Sequence, residues 1–96
     1  MLSDNSEFLN DFNPVSIADN IALRAKQLRL SRNYTQTFLA QQSGVSLGSI
    51  KRFERTGEIS LQNLLRLAVA LDASDAFKDI FTIMPAYKTV DEVLRL

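Results

Sequence analysis

Residues 35–54 read Thr35-Gln36-Thr37-Phe38-Leu39-Ala40-Gln41-Gln42-Ser43-Gly44-Val45-Ser46-Leu47-Gly48-Ser49-Ile50-Lys51-Arg52-Phe53-Glu54. Thr35 places a side-chain oxygen where the free N–H groups of a helix starting at Gln36 need an acceptor. Leu39 and Ala40 form its apolar face. Gly44 follows where the chain must leave the helix in a left-handed conformation that costs a residue with a Cβ about 1 kcal/mol or more. Ser46 is a second N-cap. Beyond it Ile50 and Phe53 give a second helix its buried side, and Leu47, Gly48, Lys51, Arg52 and Arg55 occupy the other.

Two helices joined through so short a turn cross steeply and approach closely, which Ala40 is small enough to allow. The stretch is therefore a helix-turn-helix with a basic outer side. The whole chain has 96 residues, 46% of them apolar, which suffices for one domain around one core. With no Cys and no His, a disulfide framework, a thiolate zinc site and most acid–base sites are excluded, and neither metal nor cofactor is expected. The acidic, polar start is not a signal peptide and no long apolar run occurs, so the expected location is a bacterial-type cytoplasm, at the nucleoid, with no membrane partner.

A net charge of zero conceals a sorting of charge along the chain. Residues 1–20, 21–57 and 58–96 carry −4, +6 and −2. A phosphate backbone responds to the face it meets within a Debye length of about 8 Å, not to the molecular total. The central segment, with Arg24, Lys26, Arg29, Arg32, Lys51, Arg52 and Arg55 against Glu54, is the candidate footprint.

Outward from the motif, residues 1–15 read as an acidic arm, 16–82 as the helix-turn-helix domain and 83–96 as a tail. Pro14 and Ser16 look like a helix start, and Ile17, Ile21, Ala25 and Leu28 form the core stripe of a first helix from about Ile17 to Ser31. Leu23 and Leu30 lie off that stripe, either exposed or covered by the arm or a second subunit. Gly57 stops the third helix and Ser60 caps the fourth, whose Leu61, Leu64, Leu65, Leu67, Ala68 and Leu71 suggest a central helix packed on several sides. Asp75 to Phe81 reads as a fifth helix with Phe77, Ile80 and Phe81 facing inward or toward a partner. Thr89 and Glu92 form a capping-box pattern for a short closing helix bearing Val90, Val93 and Leu94.

On Leu28-Arg29, Tyr34-Thr35-Gln36, Leu39-Ala40, Gly44-Val45-Ser46, Ile50, Phe53-Glu54 and Leu64-Leu65-Arg66-Leu67-Ala68, the chain resembles the Cro/phage-repressor helix-turn-helix family, the XRE family, across about residues 17–81. The resemblance implies an all-α, compact five-helix lambda-repressor-like DNA-binding domain. It implies that Gln36, at a helix start, points its amide and its backbone N–H at a phosphate, and that Ser46 and the first turn of the third helix lie over the major groove. Leu47, Gly48 and Ser49 would be nearest the base edges, with Lys51, Arg52 and Arg55 beyond. Arg52 is the best base reader, because its fork fits O6 and N7 of guanine. Arg29 and Glu54 match a partly buried ion pair of the family, and Ala40, Gly44, Ile50 and Phe53 its shape-determining positions.

The chain departs from that pattern at three places. Leu47 and Gly48 stand where amides are frequent, Phe38 stands where a Glu often completes a capping box, and the loop from Thr56 to Ile59 lacks a proline. Phe38 would pack on the arm or face a partner. The functional expectation is a homodimeric repressor on double-stranded operator DNA, with Phe77, Ile80, Phe81, Ile83, Met84 and Tyr87 supplying the interface. On the short Phe53-to-Ser60 connection and the closing Pro85-Ala86-Tyr87-Lys88 and Asp91-Glu92-Val93-Leu94 stretches, the region from the third helix to the tail also resembles HipB-type antitoxins, which would add a HipA-like toxin kinase as partner. A regulator of unrelated genes and a protein-interaction module that has lost DNA binding are the alternatives. No nucleophile–base spacing or phosphate-cradling glycine loop suggests an enzyme.

Overall fold

The computed structural model describes residues 13–83, and each of its α-helices begins on a side-chain oxygen. Helix α1 (Pro14–Ser31) starts where Asn13 Oδ1 accepts from the N–H of Val15 at 2.8 Å. In α2 (Gln36–Ser43), Thr35 Oγ1 accepts from Phe38 N–H at 2.9 Å. In α3 (Leu47–Thr56) and α4 (Leu61–Ala70), Ser46 and Ser60 accept from Ser49 and Asn63, both at 3.1 Å. Each cap satisfies a backbone donor that the helix cannot, a contribution of about 1 kcal/mol apiece. Helix α1 thus begins three residues before the expected Ile17. Asn13 followed by Pro14 is the better start, since the missing N–H of a first-turn proline has no partner to lose.

The helix stops are equally local. Gly44 (φ 76°) and Gly57 (φ 79°) are left-handed, and their N–H groups return to the carbonyls of Ala40 and Phe53. Among the described residues there is no strand, and α3 packs on α1 and α2 while α2 packs on α4. Their shared core is Ala22, Leu39, Val45, Ile50, Phe53, Leu67 and Leu71, with Ala40 half-buried against it. The expected α1 stripe is shifted. Ile21, Ala25 and Leu28 are only partly buried, Ile17 is 42% exposed, and the fully covered position is Ala22. Helix α4 is not packed on all sides either, since Leu61 and Val69 face solvent. Leu23 and Leu30 are exposed, and the ring of Phe38 lies 4.7 Å from that of Tyr34.

One ion pair crosses this core. Arg29 Nε and Nη2 donate to Oε2 and Oε1 of Glu54 at 2.8 and 3.0 Å, and both side chains are only 7% exposed. The third arm of the guanidinium, Nη1, donates to the carbonyl of Tyr34 at 2.8 Å. Gln36 Nε2 donates to Glu54 Oε1 at 2.9 Å. The desolvated charges are thereby hydrogen-bonded as well as paired, which is what makes their burial tolerable.

The expected fifth helix is absent. Ser74–Phe77 forms a single 3₁₀ turn, followed by irregular turns in which Lys78, Ile80 and Thr82 donate to carbonyls three residues back. The left-handed Asp72 (φ 57°) ends α4, Ala73 offers no side-chain cap, and the left-handed Phe81 (φ 68°) interrupts the chain again. A segment so short returns too few hydrogen bonds to offset helix nucleation. Phe77 is half-buried, whereas Ile80, Phe81 and Ile83 point outward. Most of the N-terminal arm, Met84, Tyr87 and the expected Thr89-to-Leu94 helix lie outside the described residues, as does the closing Pro85-to-Leu94 half of the antitoxin resemblance, whereas its other half, the short Phe53-to-Ser60 connection, lies within them.

Removing either partner of the buried pair leaves an uncompensated charge. Arg29→Ala or Glu54→Ala should therefore cost about 3–5 kcal/mol in urea unfolding. The double replacement Arg29→Met with Glu54→Leu should cost less than either single change; a larger loss in the double would mean the pair contributes net stability. The two glycine stops should differ. At Gly44 an added Cβ meets nothing within 4 Å among the described residues outside its chain neighbours, so Gly44→Ala bears only the left-handed strain of about 1 kcal/mol. At Gly57 the same atom lies 3.1 Å from Asp19 Oδ1 and 3.2 Å from the carbonyl carbon of Ala18, so Gly57→Ala should lower the melting temperature further. Equal melting temperatures would show that the loop can move off α1 freely.

Candidate nucleic-acid interface

Burial of Ile50 and Phe53 turns one side of α3 inward and leaves Gly48, Lys51, Arg52 and Arg55 to solvent. Leu47 and Ser49 are half-buried at the leading edge. The Ser46 hydroxyl accepts the Ser49 N–H at 3.1 Å, and the two hydroxyls share a hydrogen bond at 2.8 Å. Gly48 adds no side chain, and among the described residues nothing beyond its own stretch of helix lies within 4 Å of where its Cβ would be. Bare backbone is therefore presented at this point.

Gln36 is placed beside α3, but its amide does not point to an external phosphate. Its nitrogen is bonded to Glu54, so the side chain helps hold the buried pair. What α2 retains for an anion is its helix start, where the N–H groups of Gln36 and Thr37 precede the capped Phe38. Of the structural positions, Arg29, Glu54, Ile50 and Phe53 meet in the interior, while Gly44 shapes the turn.

Arg52 is not free. Its Nη2 donates to Glu58 Oε1 at 2.6 Å, with both side chains well exposed. The pair borders a groove of about 520 Å³ between α3 and the start of α4, lined also by Ser49, Gly57, Ile59, Ser60 and Asn63. Glu58 was missed by the sequence reading, because it lies six residues from Arg52, across a helix stop, where no regular helical spacing applies. Lys51 and Arg55 have no ion-pair partner among the described residues. Arg24 belongs elsewhere, lining an apolar groove between α1 and α4 with Leu28, Leu64 and Phe77. Helix α3 itself contributes three exposed bases, Lys51, Arg52 and Arg55, to the face.

This geometry can position a helix in a groove of the double helix and set an arginine fork and two further bases against it. No helix among the described residues is long and apolar enough to cross a membrane. No curated protein matches the chain, and no solved structure does. A family model described as helix-turn-helix matches residues 26–77, more than half of the chain, from the middle of α1 through the 3₁₀ turn. The chain therefore belongs to the Cro/C1-type helix-turn-helix family, the XRE family of DNA-binding transcriptional regulators.

Proposed function

We propose that the chain is a transcriptional repressor that binds a palindromic operator as a homodimer and occludes a promoter. The observation that carries the reading is the exposed basic side of α3, rotated outward by its buried Ile50 and Phe53. In this reading Arg52 reads a guanine, Leu47 contacts a thymine methyl, and Ser49 bonds a base edge or phosphate. Lys51, Arg55 and the backbone N–H groups at the start of α2 hold phosphates. Ser46 and Gly48 let the first turn of α3 lie close to the duplex. Outward-facing Leu23 and Leu30 on α1, with Ile80, Phe81 and Ile83 after the 3₁₀ turn, support a second copy as partner. A protein reading DNA in this way works in the cytoplasm of a bacterial-type cell, at the nucleoid.

A mobility-shift titration with the DNA upstream of the protein's own gene tests the reading. A selective shift is expected, and Arg52→Ala should weaken it by about 1–3 kcal/mol, with relaxed preference at one base pair per half-site. Lys51→Ala should weaken all duplexes alike and lower the salt slope by about 1. Absence of any selective shift, or a shift indifferent to Arg52→Ala, would favour an interaction module that keeps the fold without reading DNA. Co-purification with the product of the adjacent gene separates this role from its antitoxin form, in which a HipA-like kinase is a second partner. Gly48→Ala should raise thermal stability by about 0.5–1 kcal/mol, as expected for an exposed helix position, while weakening operator binding. Unchanged binding would show that α3 does not bring its backbone against DNA there.

A further inference from the structure

We infer that Glu58 is a positioning residue for Arg52 and thereby sets the base specificity of α3; the inference rests on the DNA-reading function proposed above. The pair is solvent-exposed, with 61% of the Arg52 side chain and 63% of the Glu58 side chain accessible. An exposed pair alone contributes little, because two long side chains surrender rotamer freedom for a screened attraction. Here the backbone has already restricted one partner. The N–H of Glu58 donates to Thr56 Oγ1 at 3.1 Å, and Thr56 Oγ1 donates to the carbonyl of Arg52 at 2.8 Å. Between them Gly57 is left-handed and seated against Ala18 and Asp19 of α1. The carboxylate thus returns to the guanidinium of the very residue whose carbonyl anchors its loop, closing a circuit through Thr56.

The contact uses a single guanidinium nitrogen and one carboxylate oxygen. Other N–H groups of the fork remain for the parallel pair of bonds that O6 and N7 of a guanine accept. Glu58 fixes the direction of that fork before DNA arrives, so less side-chain freedom is lost on binding. Its charge acts in a second way. A carboxylate at the DNA-facing edge repels phosphates and penalises any register in which Arg52 finds no guanine. Both effects raise specific binding relative to non-specific binding.

The test begins with selection from a randomised duplex pool by the full-length wild-type protein. The recovered duplex, a scrambled duplex, and a duplex with adenine at the guanine whose preference Arg52→Ala abolishes are then titrated. Wild type, Glu58→Gln, Arg52→Ala and the double variant are compared on all three. Glu58→Gln should raise affinity for the scrambled duplex about 2–5-fold and lower guanine-over-adenine discrimination about 5–10-fold. In the Arg52→Ala background, Glu58→Gln should still raise scrambled-duplex affinity but no longer alter discrimination. A purely structural role would instead weaken all duplexes together and overturn the inference. Unchanged or sharper discrimination in Glu58→Gln would overturn it too, as would a recovered duplex with no guanine dependent on Arg52. If selection recovers no preferred duplex, the DNA-reading function itself falls, and this inference with it.

Discussion

The Arg29–Glu54 pair is the constraint on which the remaining geometry depends. It ties α1 to α3 directly, and through Tyr34 and Gln36 it also holds the start of α2. Apolar contact between Ile50, Phe53 and their neighbours favours burial but is non-directional, so it tolerates small rotations of α3 about its axis. A two-pronged guanidinium–carboxylate contact does not, because both N–H···O bonds must stay aligned. The pair is weak evidence for stability, since desolvating two charges offsets most of their attraction. Its physical consequence is orientation: with α3 fixed, Lys51, Arg52 and Arg55 face outward and the helix start at Gln36 lies beside them.

What could be read from sequence follows the range over which each interaction acts. Thr35, Ser46 and Ser60 cap residues three positions away, and Gly44 and Gly57 end their helices by their own backbone angles, so these features were legible residue by residue. The Arg29–Glu54 pair was legible only through family resemblance, because 25 residues separate its members. Periodicity showed which side of α1 is apolar but not where α3 crosses it, and the crossing covers Ala22 while leaving Ile17 exposed. The fifth helix failed for a related reason. Apolar spacing at Phe77, Ile80 and Phe81 reports a pattern, whereas helix formation also needs a cap and enough length.

Charge was the least transferable part of the reading. The sum of +6 over residues 21–57 treats every base as available. Glu54 neutralises Arg29 in the interior, Glu58 engages Arg52 at the surface, and Arg24 lines a different groove. Gln36 was likewise expected to serve phosphate through its amide, yet that amide completes the hydrogen bonding of Glu54. Burying a carboxylate creates acceptors that must be satisfied, and the nearest donor is drawn inward. A residue type suited to an anion can therefore be claimed by the fold first.

These subtractions bear on how much sequence discrimination one copy can provide. In the proposed reading, with Leu47 and Gly48 at the leading edge, Arg52 alone on α3 makes a bidentate base contact, worth about 1–3 kcal/mol. Specific sites are typically favoured over non-specific DNA by about 4–10 kcal/mol, and the competing sites in a genome are very numerous. One helix of this composition falls short even with a methyl contact from Leu47 and some readout of DNA shape. Two copies on a symmetric site double each base contact, and they confine the second helix once the first has bound. On the proposed function, the few base-reading side chains of α3 and the apolar residues left outward on α1 and after the 3₁₀ turn support the same arrangement: the smaller the information in one α3, the more such a function would depend on pairing two.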